Sequence, residues 1–174
     1  MKVINLFGGP GSGKSTTAAG LFYQMKLKHM NVELITEYAK ELVYSDRVTF
    51  LNSKQEYVFA KQNLRQFILK DKVEWAITDS PLLLSLIYPK IYNTSPGDHF
   101  DQYAIETFNR YNNVNFFISR PPNFSSVGRV QDFSESVRVD NLILDALSET
   151  GVKYETIPAD KQTLQTIMSH INMM

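Results

Sequence analysis

Eight consecutive residues, Gly8-Gly9-Pro10-Gly11-Ser12-Gly13-Lys14-Ser15, constrain this chain more than any other segment. They fit G-x-x-x-x-G-K-[ST] in full, and their flanks decide what the pattern means. Val3–Phe7 before them is a short apolar run that reads as a buried strand. Lys14–Lys28 after them reads as a helix with Ala18, Leu21, Phe22 and Met25 on one face. A glycine turn between a buried strand and an amphipathic helix aims backbone N–H groups and a helix N-terminus at one point, where an anion is stabilised. The segment from Gly9 to Thr16 (Gly9, Pro10, Gly11, Ser12, Gly13, Lys14, Ser15 and Thr16) is therefore expected to cradle the phosphates of ATP or GTP. Lys14 would reach the β- and γ-phosphates, Ser15 would ligate Mg²⁺, and Thr16 would add a hydrogen bond.

The remainder of the chain repeats the strand–helix alternation. Val32–Ile35, Trp75–Thr78, Val114–Ile118 and Tyr154–Ile157 read as four further short strands. Helical segments are expected at Glu37–Tyr44, Lys54–Leu69, Asp98–Tyr111, Ser134–Glu149 and from Lys161 onward, with a short one near Leu82–Tyr88. In Lys54–Leu69 the apolar stripe would be Tyr57, Val58, Leu64, Phe67 and Ile68. Lys90–Gly97 and Ser119–Asp132 are rich in turn residues and read as loops, the second as a mobile lid. Five apolar strands between helices predict an α/β fold with a parallel sheet covered on both faces. At 174 residues this is expected to be one domain, 1–174.

Ligands in such sheets sit beyond the carboxyl ends of the strands, and several polar residues fall there. Asp79 ends the third strand, where a carboxylate could hold the magnesium shell opposite Ser15 or take a proton from an acceptor. It could instead cap a helix before Pro81. Glu37 follows the second strand, placed for general-base work on an acceptor hydroxyl or for a simple first-turn role. Arg120, Arg129 and Arg138 lie in or just after the lid. Arg129 beside Gly128 is the expected catalytic arginine, since guanidinium groups that close over phosphoryl oxygens stabilise transferring charge. Ion pairing with Asp132, Glu135 or Asp140 is the plainer alternative for these arginines. Lys54, Lys61 and Arg65 share roughly one helix face, which suits a polyanion track or a solvated surface.

Composition excludes other chemistry. Eighteen basic residues balance eighteen acidic ones, which argues against coating nucleic acid through bulk charge. The chain has no cysteine, so thiol catalysis and zinc–cysteine sites are out, and its three histidines are too scattered for a metal cage. No apolar run is long enough to span a bilayer, and a cytoplasmic protein is expected. Oligomeric state is not readable.

The motifs in order, GGPGSGKST, a glutamate after strand two, DSP after strand three and a GR-containing lid before a helix, resemble the nucleoside and nucleotide kinase branch of P-loop proteins, with the thymidylate kinase-like group as the broad label. That resemblance implies sheet order 2-3-1-4-5 and transfer of the γ-phosphate of ATP, with Mg²⁺. The pairing of TEYAKELV with TDSPLLLSLIY is similar to bacteriophage 5-hydroxymethyluracil DNA kinases. It implies the base's hydroxymethyl group in modified DNA as acceptor, with Gly13, Lys14 and Ser15 on ATP and Mg²⁺, Asp79 as metal-shell acid or base, and Arg129 as lid arginine. A free nucleoside, nucleotide or nicotinamide riboside acceptor is the alternative, and an ATPase switch the alternative of another class.

Overall fold

The structure, a computed structural model, describes residues 1–120 and 133–173. Its centre is a five-stranded, all-parallel sheet: β1 (Lys2–Phe7), β2 (Val32–Ile35), β3 (Trp75–Thr78), β4 (Asn112–Ser119) and β5 (Glu155–Pro158), in the order β2-β3-β1-β4-β5. β1 takes the middle position. It pairs with β3 from Lys2↔Trp75 to Asn5↔Thr78 and with β4 from Lys2↔Asn112 to Phe7↔Phe117. Buried on both faces, it reads as a nearly continuous apolar run.

Strand alternation divides the core. Ile4 and Leu6 face α1 (Lys14–Leu27) and the C-terminal helix Thr163–Asn172, packing with Leu21, Met25, Ile167 and Ile171. Phe7 faces the opposite side, with Leu83, Leu86, Phe108, Val139 and Ile143. That side is built by a 3-10 turn over Leu82–Leu86 and by the helices Asp98–Asn109 and Phe133–Glu149. The one polar residue inside β1, Asn5, donates its side-chain NH₂ to the Asn113 and Asn115 side-chain oxygens at 2.9 and 3.0 Å, which pairs the donor end of the amide inside the sheet.

Between β2 and β3 the chain makes three helices: α2 (Tyr38–Tyr44), α3 (Val48–Ser53) and α4 (Gln55–Phe67). Completing the numbering, α5 is Tyr88–Tyr92, α6 Asp98–Asn109, α7 Phe133–Glu149 and α8 Thr163–Asn172. Three expectations need correction. Residues 48–53 form a helix where none was expected. Residues 90–92 are the end of α5 rather than loop, because Pro89 suits a first turn and Asn93 closes the helix with φ 53°. The third concerns α4. Tyr57, Leu64, Phe67 and Ile68 are exposed, and the inward face carries Gln55, Phe59, Gln62 and Gln66. The inner face of α4 meets open backbone groups as well as apolar surface. Gln62 Oε1 accepts from Tyr38 N–H at 2.9 Å, and Gln55 Nε2 donates to Leu51 O at 2.6 Å. Buried amides satisfy those groups where aliphatic chains would strand them. No helix among the described residues is long and apolar enough to cross a membrane.

Candidate active site

Because every strand is parallel, their carboxyl ends share one rim, and the candidate residues meet there. Gly13 stands at the N-cap of α1 with φ 93°, a left-handed conformation that a side chain would strain. Gly9 is held by close approach. A Cβ there would lie 2.7 Å from both Asp140 Oδ1 and Ser136 O of α7. The Gly9 N–H donates to Asp140 Oδ1 at 2.5 Å. Arg120, at the end of β4, donates to Pro10 O at 2.7 Å and pairs with Asp140 Oδ2 at 2.8 Å. The pair is largely buried, the Arg120 side chain being only 8% exposed. Arg120 and Asp140 thus clamp the glycine loop from the β4–α7 side. Of the ion pairs open to the three arginines, this is the one the fold selects for Arg120. Asp140 was among the expected ion-pair partners of these arginines, but its contact with Gly9 was not, since nothing local marks it.

Lys14 donates to Gly9 O at 2.9 Å, folded back on its own loop. Burial pulls its pKa from 10.5 to about 8, against the opposing pull of Glu37, Asp79 and Asp140. A phosphate would give this ammonium a far better partner than a carbonyl.

Ser15 and Asp79 meet directly: the Ser15 hydroxyl donates to Asp79 Oδ2 at 2.5 Å. Among the described residues the Asp79 side chain makes no capping bond to the 3-10 turn that follows, so the capping alternative falls away. Its other oxygen, Oδ1, is buried and has no hydrogen-bond partner among the described residues. A buried carboxylate oxygen left without a donor is a costly arrangement that a cation would relieve. The donor set fits Mg²⁺: one hydroxyl and one carboxylate, with the remaining positions open to phosphate and water, as this ion prefers. Among the described residues no group of three or more His, Cys, Asp or Glu side chains could hold a metal by itself. A second cation is already near. Lys40 of α2 donates to Ser15 Oγ at 2.9 Å and lies 3.6 Å from both Glu37 Oε2 and Asp79 Oδ2.

Glu37 is the N-cap residue of α2 and its carboxylate faces the cleft. Burial raises its pKa above the usual 4.5 and Asp79 pushes the same way, while Lys40 and Lys14 hold it down. Gly11, Gly13, Lys14, Ser15, Thr16, Glu37 and Asp79 all border one cleft of about 680 Å³. Val43, Leu51, Phe59, Leu84, Tyr88 and Ile91 line the same cleft as an apolar chamber, with Gln55 and Ser85 as polar lining residues. Burial there raises the Tyr88 phenol's pKa, keeping it a neutral donor. Arg138 of α7 lines the same cleft. Arg129, the expected lid arginine, lies outside the described residues, as does the expected lid from 121 to 132. Ser119 belongs to β4. Of the face Lys54, Lys61 and Arg65, Arg65 donates to Thr36 and pairs with Glu41, Lys54 pairs with Glu56, and Lys61 lies over the Tyr57 ring.

Strand order, central phosphate-type loop and helices on both faces together define the P-loop NTPase fold. The chain belongs to the AAA domain family, whose profile matches residues 3–165. Solved structures share the fold at low identity. A thymidylate kinase from Ehrlichia chaffeensis superposes with a TM-score of 0.63 at 17% identity, covering 99% of this chain and 97% of that one. A deoxyadenosine kinase from M. mycoides, with dCMP and dCDP bound, gives 0.59 at 16% identity over the whole of both chains. The NadR protein in complex with NR gives 0.67 at 17% identity over 92% of this chain, which spans only 46% of that protein's length. No curated protein sequence matches the chain.

Proposed function

We propose that this protein is an ATP-dependent phosphotransferase that moves the γ-phosphate to a hydroxyl of a nucleoside-type acceptor. The observation that carries this reading is that one cleft of about 680 Å³ is lined both by the phosphate-type loop with Glu37 and Asp79 and by a set of apolar side chains, the apolar chamber. A nucleotide-hydrolysing switch has no need of a chamber beyond its γ-phosphate. The low-identity structural relatives include kinases of small nucleosides and nucleotides, which is consistent with it.

In this mechanism the loop N–H groups and Lys14 bind the phosphate chain, and Lys14 leaves Gly9 O for the β- and γ-oxygens. Ser15 and Asp79 would hold Mg²⁺, which when bound offsets charge on those oxygens. The acceptor sits in the apolar chamber, which excludes competing water. Its hydroxyl gives its proton to the Glu37 carboxylate as the oxygen–phosphorus bond forms. The bond from the γ-phosphorus to the bridging oxygen breaks, and ADP leaves with that electron pair. Glu37's raised pKa makes it a better base than an ordinary glutamate. Arg138, which lines the cleft, is a described guanidinium that could meet phosphoryl oxygens, with Arg129 the further candidate from the sequence.

The chamber favours a free acceptor. A 5-hydroxymethyluracil base in DNA would have to be turned out of its strand to enter, and the α4 cations that could follow a backbone are engaged with protein partners. The deciding experiment offers γ-labelled ATP with nucleosides, nucleotides, nicotinamide riboside, plain duplex DNA and duplex DNA containing 5-hydroxymethyluracil. Label in a small acceptor supports the proposal, and label only in the modified DNA moves the acceptor to nucleic acid. Free phosphate alone, whatever the acceptor, would replace the kinase by a switch ATPase.

A further inference from the structure

Lys40 has no role in the chemistry described above, yet it stands inside the site. It lies one turn beyond Glu37 on α2, and its ammonium meets three oxygens of three segments: Ser15 Oγ at 2.9 Å, Asp79 Oδ2 at 3.6 Å and Glu37 Oε2 at 3.6 Å. Ser15 is tied on its other side, donating its proton to Asp79. A hydroxyl that accepts from an ammonium and donates to a carboxylate has both functions in use. These are also the hard oxygen donors a divalent cation would take, and two cations cannot share them. The two-point clamp of Arg120 on Asp140 and Pro10 makes a useful contrast. That guanidinium is 8% exposed and fixed, whereas the Lys40 side chain is 46% exposed on a flexible stem with solvent beside it. Lys40 can leave by rotating into water.

We propose that Lys40 is a resident counter-cation that occupies the divalent-metal position of the nucleotide-free protein and withdraws when Mg²⁺ enters. The inference rests on the Mg²⁺–nucleotide reading of the site. In the empty protein Lys40 offsets the charge of Asp79 and Glu37 and holds Ser15 and Asp79 together. It also disfavours metal alone. Mg²⁺ carried in by a nucleotide brings phosphate oxygens that add to its binding, so metal and nucleotide enter together. Withdrawal of Lys40 then frees Glu37 from its nearest cation as the acceptor site is completed.

The test is Mn²⁺ binding without nucleotide, followed by the loss of the free-ion EPR signal, on the folded full chain and on Lys40→Met, Lys40→Gln and Lys40→Arg. Met and Gln variants are expected to bind Mn²⁺ at least about tenfold more tightly than the natural protein, because a unit charge has been removed from contact distance. The Arg variant retains a cation and is expected to stay within a few-fold. Repeating the titration in 0.5 M KCl separates displacement from a general field, since salt screens distant charges. A gain that survives salt supports displacement. Equal affinities, or a gain that vanishes in salt, would overturn the role of Lys40. A parallel titration of the natural protein with a fluorescent ATP analogue and Mg²⁺ tests the underlying reading. Failure to bind there would sink both, whereas normal binding with unchanged Mn²⁺ affinity sinks the Lys40 inference alone.

Discussion

Lys14→Met is expected to abolish nucleotide binding and, at the same time, to stabilise the empty protein. The second effect follows from burial. Folding lowers the Lys14 pKa from 10.5 to about 8, the largest cause being desolvation. At about 1.4 kcal/mol per pH unit, keeping this lysine charged at pH 7 costs the folded state about 3 kcal/mol. Methionine keeps the apolar stem and removes the charge. It forfeits the hydrogen bond to Gly9 O, worth about 1 kcal/mol. The net gain of about 2 kcal/mol corresponds to a rise in Tm of roughly 4–8 °C for a chain of this size. The sign can be checked with pH. Between pH 8 and 10.5 the folded state has released the Lys14 proton while the unfolded chain still holds it, so natural-protein stability rises with pH across that window. The advantage of Lys14→Met is therefore greatest below pH 8 and shrinks toward pH 10. Nucleotide-free thermal unfolding at pH 7, 8, 9 and 10 measures it. An unchanged or lower Tm for Lys14→Met at pH 7, with no convergence at high pH, would refute the reasoning.

Nucleotide affinity in the natural protein should weaken above pH 8, by up to about tenfold per pH unit, because binding then requires proton uptake at Lys14; calorimetry in buffers of different ionisation enthalpy reads that proton. Gly9→Ala should cost at least tenfold in ATP affinity, since its Cβ would be forced against Asp140 Oδ1 and Ser136 O, and equilibrium titration checks it. Glu37→Gln should lower kcat by about 10²–10⁴ with ATP affinity little changed, and the acid limb of the natural kcat profile should lie above the ordinary glutamate range. Gln62→Leu should destabilise by about 1–3 kcal/mol, measured by urea unfolding, because Tyr38 N–H loses its acceptor.

The parts of the site that were legible before folding are those carried by short contiguous patterns. The loop from Gly8 to Ser15 announces itself because the backbone geometry it needs is local: glycines for the turn, then a helix start. The five strands are legible for a related reason, being short apolar runs separated by turn residues, and Asp79 and Glu37 follow from standing at strand ends. Helix α4 lies where its pattern predicts, but its inward face differs because its partner is a rim of backbone groups and a cleft, which select glutamines, and periodicity counts only apolar residues. The segment 48–53 carries no strong amphipathic signal, and contact with its neighbours α2, α4 and α5 accompanies its helical form.

By itself, then, the amino-acid order determined a phosphate-type loop, a strand–helix alternation and the residue types at each strand end. Tertiary structure alone decided which of those residues meet. Asp140 reaches Gly9 across 131 positions of sequence, and Ser15 reaches Asp79 across 64. Lys40 enters the same oxygen cluster because α2 leaves β2 toward the rim. Such encounters depend on strand order and on the crossing of helices over the sheet. A one-dimensional pattern carries spacing along the chain, whereas charge, hydrogen bonding and burial act through distance in space.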